Sequence, residues 1–248
     1  MILRRITEHV KAQNWFAVGL DFLIVVIGVF VGLQVNNWNE ARAENNRATN
    51  YRESLASDLQ NDIGRMTNAI ALKNQVIEFG RTALNAARNK QTDDPWPVIY
   101  AFFQASQAGG PVTVNTTYQE LTSSGEVRLI DELDVRQELA NYYTETNLND
   151  IISVLPVYRE AVRGLVPFDV QEYIWEHCYL TGVNNQKLLP CEPPATADHL
   201  SEVASHLVDD QQLVRHLRFW LSNETASVLI LEQRRKDAES LREALLKP

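Results

Sequence analysis

An acidic side chain, Asp21, lies inside the apolar stretch Phe16–Val35. A carboxyl group in a lipid environment costs a few kcal/mol unless it is paired or hydrated. Helical spacing places Val25, Gly28 and Gly32 on the same face as Asp21, and two glycines four residues apart let helix backbones approach closely. This face predicts contact between the helix and a second helix that bonds Asp21. Two alternatives stay open: Asp21 reaches the cytoplasmic interface, or several copies line an ion path.

The length of the apolar stretch indicates a membrane span. About 20 helical residues rise roughly 30 Å, which matches the hydrocarbon core of a bilayer. Trp15 and Trp38 bracket the stretch, as interfacial aromatic residues do. A cleaved signal peptide would have a shorter apolar core and small residues at its end, whereas this stretch ends in Gln34 and Asn-Asn-Trp-Asn. The sequence therefore predicts an uncleaved signal anchor over residues 15–38.

Polar side chains cluster where the predicted span leaves the membrane: Gln34, Asn36, Asn37, Trp38, Asn39 and Glu40. Their amide groups could bond lipid headgroups, one another across an oligomer, or a loop of a partner. The alternative is an interfacial anchor that only positions Trp38.

Cys178 and Cys191 flank a loop of about a dozen residues that could close as a disulfide. A disulfide implies an oxidising compartment, although two reduced, buried cysteines remain the alternative. Lys and Arg residues before and after the span nearly balance, so the cysteines decide the predicted orientation. We expect a cytoplasmic N-terminus in a bacterial inner membrane and a periplasmic domain after the span.

Catalytic and cofactor motifs are missing from the sequence. It has no nucleophile elbow, no phosphate-binding glycine loop, no nucleotide fingerprint and no metal-ligand spacing of a recognised kind. Ser123-Ser124-Gly125 is typical of a turn that ends a helix, and Tyr118, Tyr142 and Tyr143 are typical of bundle packing. We therefore expect no enzyme activity, no metal and no cofactor.

The charge balance limits the partners. The formal net charge is −9 and the isoelectric point is about 5.1. Nucleic-acid binding needs a basic face, and so does a domain that lies flat on anionic lipid. We expect a lipid bilayer and other protein chains as partners, and no nucleic acid.

Hydrophobic periodicity predicts helices to position these residues. Residues 1–14 form a short amphipathic arm, and residues 39–248 form a helical domain. A helix is predicted to continue from Asn39 to about Lys90, because an apolar stripe recurs every three or four residues. The stripe consists of Leu59, Ile63, Met66, Ile70, Ile77 and Leu84.

Further helices are bounded by proline, glycine and capping residues. A short buried helix is predicted over VIYAFFQA at 98–105, with Pro95 and Pro97 where it begins. Other helices are predicted over Thr116–Ser123, within Leu129–Leu155 from about Asp131, over Val157–Leu165, from the N-cap Asp198 to Val208, and over Asp209–Leu246. The segment Phe168–Tyr179 is short and aromatic. The loop between the cysteines is expected to be irregular. The predicted fold is all-α, with one N-terminal transmembrane helix that continues into a bundle of long and short helices.

Two blocks of the sequence carry recognisable motifs. The first is LIVVIGVFVGLQVNNWNEAR, with its Asn-Asn-Trp-Asn motif, and the second is TYQELTSSGEVRLIDELDVRQELANYY, with its Ser-Ser-Gly turn. Both blocks resemble a widespread family of uncharacterised bacterial membrane proteins. Together they cover roughly a third of the chain. The resemblance implies a bitopic membrane protein and implies no activity.

Three classes of function follow from these features. The leading expectation is a non-enzymatic structural or accessory subunit, as a homo-oligomer or within a larger membrane complex. The second is a periplasmic sensing or ligand-binding module that acts through a partner. A pocket lined by Tyr142, Tyr143 and Trp175 would favour that second class. An enzyme is the third.

Overall fold

The computed structural model describes residues 15–111, 113–144, 155–182, 186–195 and 199–247. The predicted arm at 1–14 and the predicted N-cap Asp198 lie outside these ranges. So does the second half of the helix predicted over Leu129–Leu155, from residue 145 onward. By its internal contacts the chain divides into two compact units, residues 1–51 and residues 52–248.

The described ranges contain eight α-helices and one small hairpin. The helices are α1 Trp15–Asn89, α2 Pro95–Gln104, α3 Thr116–Ser123, α4 Leu133–Thr144, α5 Val157–Leu165, α6 Phe168–His177, α7 Leu200–Asp209 and α8 Gln211–Leu246. The strands β1 Tyr179–Leu180 and β2 Lys187–Leu188 pair antiparallel, with Tyr179 opposite Leu188. The all-α prediction is confirmed. The irregular loop predicted between the cysteines was wrong in part, because its two ends pair as this hairpin.

Helix α1 is continuous from Trp15 to Asn89, as the apolar stripe predicted. It ends where Lys90 adopts a left-handed backbone with φ of 51°. Within the described residues it is the one helix long and apolar enough to cross a membrane, by length and composition. Its length and composition fit either a membrane anchor or a signal sequence. Trp15 and Trp38 are both exposed on it.

The core of the second unit is built around α2, whose sequence PWPVIYAFFQ is buried almost throughout. Pro95 sits at the start of the helix, where its missing N–H breaks no intrahelical bond. Helix α2 packs mainly against α7. Two hydrogen bonds connect the core to helices distant in sequence. The Tyr158 hydroxyl donates to the Phe102 carbonyl at 2.7 Å, and the Trp220 indole N–H donates to the Ala105 carbonyl at 2.9 Å.

The helix predicted within Leu129–Leu155 starts two residues later than expected. The structure has a 3-10 turn at Val127–Leu129 and begins α4 at Leu133, whereas the sequence predicted a start near Asp131. The cause is Ile130, which is fully buried with an extended backbone, ψ of 100°. The Arg136 guanidinium donates to the Ile130 carbonyl at 2.8 Å, which satisfies a group that a helix would have used.

Gly80 allows α1 and α8 to pack closely. A β-carbon there would lie 2.3 Å from Leu221 Cδ2 and 2.9 Å from Leu221 Cγ. We expect Gly80→Ala to lower the free energy of unfolding by about 1–3 kcal/mol, because the buried Leu221 side chain has to move. Urea unfolding followed by circular dichroism measures the change.

Gly64 on the same helix supplies the matched control for this prediction. No atom lies within 4 Å of its would-be β-carbon. Gly64→Ala is therefore expected to raise stability by up to about 1 kcal/mol through helix propensity alone. Equal effects of the two alanines would contradict the close approach at Gly80.

Candidate functional sites

The predicted packing face of the span is open in the single chain. Val25 is exposed, and nothing lies within 4 Å of a β-carbon built on Gly28 or Gly32. All three lie with Asp21 on one side of α1, because the helix is regular through this segment. The helix backbone at the two glycines is therefore accessible to a second helix.

The polar cluster at the predicted membrane exit lies on the same continuous helix. Asn36 donates through Nδ2 to Glu40 Oε1 at 2.7 Å, and the Arg42 guanidinium lies 6.0 Å from the centre of the Trp38 ring. Gln34, Asn37 and Asn39 are exposed. These short-range contacts fix the Asn36 side chain along the helix and hold a cation beside the exit tryptophan.

Asp62 forms a buried polar centre that the sequence analysis did not single out. It is 1% exposed, and its carboxylate accepts from the Val114 backbone N–H at 2.8 Å and from the Tyr142 hydroxyl at 3.0 Å. Burial raises the pKa of the Asp62 carboxyl, although both hydrogen bonds oppose the rise. Asp62 therefore anchors α4 and the segment before α3 to α1.

Aromatic side chains and an arginine complete this centre. Tyr118 stacks on Tyr143 with ring centres 4.7 Å apart, and Tyr143 meets Tyr142 edge-on at 5.0 Å. The Arg234 guanidinium lies 4.8 Å from the Tyr142 ring centre and donates to the Tyr142 carbonyl at 2.7 Å. Burial raises the pKa of both Tyr142 and Tyr143, and the nearby Asp62 adds to the effect. The Tyr-Tyr pair thus packs α4 between α1 and α8.

A cleft of about 330 Å³ opens beside Tyr142, between α4 and α8. It is lined by Glu138, Asn141, Tyr142, Arg234, Asp237, Ser240 and Leu241. The sequence raised the possibility of a pocket lined jointly by Tyr142, Tyr143 and Trp175, but Trp175 does not lie with the two tyrosines. Trp175 instead packs edge-on against Phe103 at 5.8 Å.

Trp175 belongs to a second cluster around Arg163. The Arg163 guanidinium lies 5.0 Å from the Phe103 ring centre and 4.9 Å from the Trp175 ring centre. It also donates to Ser106 Oγ at 3.2 Å and to Gln107 Oε1 at 3.1 Å. Burial, assisted by the neighbouring Arg159, lowers the pKa of Arg163 to about 10.

Cys178 and Cys191 are joined as a disulfide, with their Cα atoms 5.3 Å apart. The backbone at each cysteine is held by α2: Gln104 donates to the Cys178 carbonyl at 3.2 Å, and Trp96 donates to the Cys191 carbonyl at 3.0 Å. The cross-link and these bonds fix the hairpin on the core of the second unit.

A buried ion pair joins α1 to α8. Lys73 Nζ lies 2.8 Å from Glu224 Oε1, and both side chains are 2% exposed. Burial raises the pKa of the Glu224 carboxyl, and Lys73 opposes the rise without cancelling it. A signal for both residues exists in the sequence, because Lys73 continues the stripe of Met66 and Ile70, and Glu224 follows Leu221 by three residues. A charge on an apolar stripe indicates a buried partner.

The serines of the Ser-Ser-Gly turn bond the helix that they end. Ser123 donates to the Glu120 carbonyl at 3.1 Å, and Ser124 donates to the Leu121 carbonyl at 3.2 Å. Gly125 follows with φ of 73°, a conformation that favours glycine. Among the described residues, no three His, Cys, Asp or Glu side chains are grouped to hold a metal ion.

Comparison of the chain with protein-family models, with curated proteins and with solved structures found no match.

Proposed function

We propose that this protein is a membrane-anchored, non-enzymatic structural or accessory subunit that associates through its span, with itself or with a larger inner-membrane complex. The observation that carries the proposal is the open face of Asp21, Gly28 and Gly32. A carboxyl group in an apolar helix needs a partner, and two uncovered glycines provide the close approach that lets a partner helix supply one.

The proposed topology has a cytoplasmic N-terminus and a periplasmic helical domain. It is supported by the Cys178–Cys191 disulfide, because such cross-links persist in oxidising compartments. Alkaline phosphatase and green fluorescent protein fused in turn to the C-terminus of the full chain test the topology. Phosphatase activity without fluorescence is the expected result, and the reverse would overturn it.

Purification of the tagged full chain in a mild detergent, with mass spectrometry of co-purifying proteins, tests the association. We expect a stoichiometric complex that Asp21→Leu and Gly28→Leu/Gly32→Leu disrupt. Phe30→Leu is the matched control, because position 30 faces nearly the opposite side of the helix. A monomer that is indifferent to all these substitutions would overturn the proposal.

A second candidate function, ligand binding by the helical domain, is favoured by the cleft beside Tyr142. Its volume is at the low end of the range of about 300–1,000 Å³ that small-molecule sites occupy. Polar groups from two facing helices converge on it. Binding there would add to the anchoring role and would not replace it.

A further inference from the structure

The cleft between α4 and α8 has a floor and a rim of different character. Tyr142 and Leu241 are buried at its base, at 5% and 2% exposure. The rim carries four exposed polar residues, namely Glu138, Asn141, Asp237 and Ser240. The rim residues come from both helices, so each helix contributes one carboxylate, one neutral polar side chain and part of the apolar base.

The charges of the lining favour a cationic ligand. The one guanidinium of the lining, Arg234, donates through Nη2 to the Tyr142 carbonyl and lies over the Tyr142 ring, so the protein already engages it. Glu138 and Asp237 present their carboxylates at the mouth, and Asp237 Oδ1 accepts from Gln233 at 2.8 Å, which leaves its second oxygen to be bonded. The ligand therefore meets acceptors at the rim and apolar surface below.

We propose that this cleft binds small linear polyamines, with an ammonium group at each of Glu138 and Asp237 and the methylene chain over Leu241 and the Tyr142 ring. Ammonium groups donate charge-assisted hydrogen bonds to carboxylates, and a carbon chain suits the apolar base. The proposal deepens the second candidate function, on which it depends, and it does not depend on association of the span.

Isothermal titration of the purified full chain with spermidine, in an uncharged maltoside detergent, tests the proposal. Glu138→Gln and Asp237→Asn are each expected to weaken binding about tenfold, because each removes one charged acceptor. Glu202→Gln is the matched control, since it removes the same charge from an exposed position on α7. It is expected to leave the affinity unchanged. Thermal unfolding by circular dichroism verifies that each variant is folded.

Several outcomes would overturn the polyamine assignment. One is the absence of binding heat at millimolar spermidine. Another is that Glu202→Gln weakens spermidine binding as much as Glu138→Gln does. A third is that magnesium chloride, at an equal concentration of positive charge, abolishes spermidine binding. A parallel titration uses glutamate as the probe, with Ser240→Trp to fill the cleft. Glutamate binding that Ser240→Trp abolishes, without spermidine binding, would overturn the polyamine class and keep a ligand-binding function. If neither spermidine nor glutamate binds, the polyamine assignment and the proposed ligand-binding function of the cleft are both overturned.

Discussion

Lys73→Met is expected to lower the free energy of unfolding by about 3–5 kcal/mol, because it leaves the Glu224 carboxyl in the core without its cation. The pKa of Glu224 is already raised by burial, so without Lys73 the carboxyl takes up a proton more readily in the folded state. A raised acid pKa favours the folded state below the unfolded value and disfavours it as pH rises through the folded value. The loss caused by Lys73→Met should therefore grow as pH rises above the ordinary value of 4.5.

The double variant Lys73→Met/Glu224→Met distinguishes the net contribution of the ion pair to stability from the destabilisation caused by removing only one partner. Two apolar side chains of similar length need no hydrogen bonds, so the double variant should recover most of the stability that the single one loses. Urea unfolding of the native chain, the two single variants Lys73→Met and Glu224→Met, and the double variant at neutral pH gives the coupling free energy between the two side chains. Additive losses in the double variant would show that the two side chains act independently.

Asp62→Ala is expected to cost about 2–4 kcal/mol, because the Val114 N–H and the Tyr142 hydroxyl both lose their acceptor inside the protein. Asp62→Asn keeps an acceptor oxygen for Val114 and should cost about 1 kcal/mol. Urea unfolding measures both losses. Tyr142→Phe isolates one of the two bonds, and its loss should be smaller than that of Asp62→Ala.

The pH dependence supplies a separate test of the Asp62 centre. The pKa of Asp62 is raised from 3.8 by burial, so this group stabilises the folded state at low pH and loses that contribution as pH rises through its folded pKa. Asparagine does not titrate in this range. The stability difference between the native chain and Asp62→Asn should therefore narrow as pH increases from about 4 to about 7. A constant difference would show that the carboxyl keeps an ordinary pKa.

Local signals explain why several helix bounds could be predicted. Pro156 precedes α5, and Gly125 follows α3, so the predicted bounds Val157–Leu165 and Thr116–Ser123 agree with the structure. The start of α4 was predicted near Asp131, two residues before its position at Leu133. It depends on the burial of Ile130 and on the bond from Arg136, which exist after the helices have packed.

The polar centres needed tertiary information for the same reason. Asp62 has the composition of a solvated helix face, and its burial depends on partners 52 and 80 residues away in sequence. The apolar stripe indicates that Glu224 is buried, but it does not identify its partner Lys73, which lies 151 residues away. Asp21, Gly28 and Gly32 were found from sequence because a membrane reverses the expectation: in lipid, the polar and small residues are the exceptional ones. Their partner stays a prediction.

The placement of the tryptophans makes the protein its own fluorescent reporter. Trp96 and Trp220 are 6% and 2% exposed, whereas Trp15 and Trp38 are 71% and 63% exposed on the apolar helix. Brominated lipid should quench the emission of Trp15 and Trp38 and leave the emission of Trp96 and Trp220 unchanged. Urea that unfolds the helical domain should shift the emission of Trp96 and Trp220 to longer wavelength. The proposed membrane insertion and the unfolding of the helical domain are therefore expected to change the emission of separate sets of indole rings, without any added label.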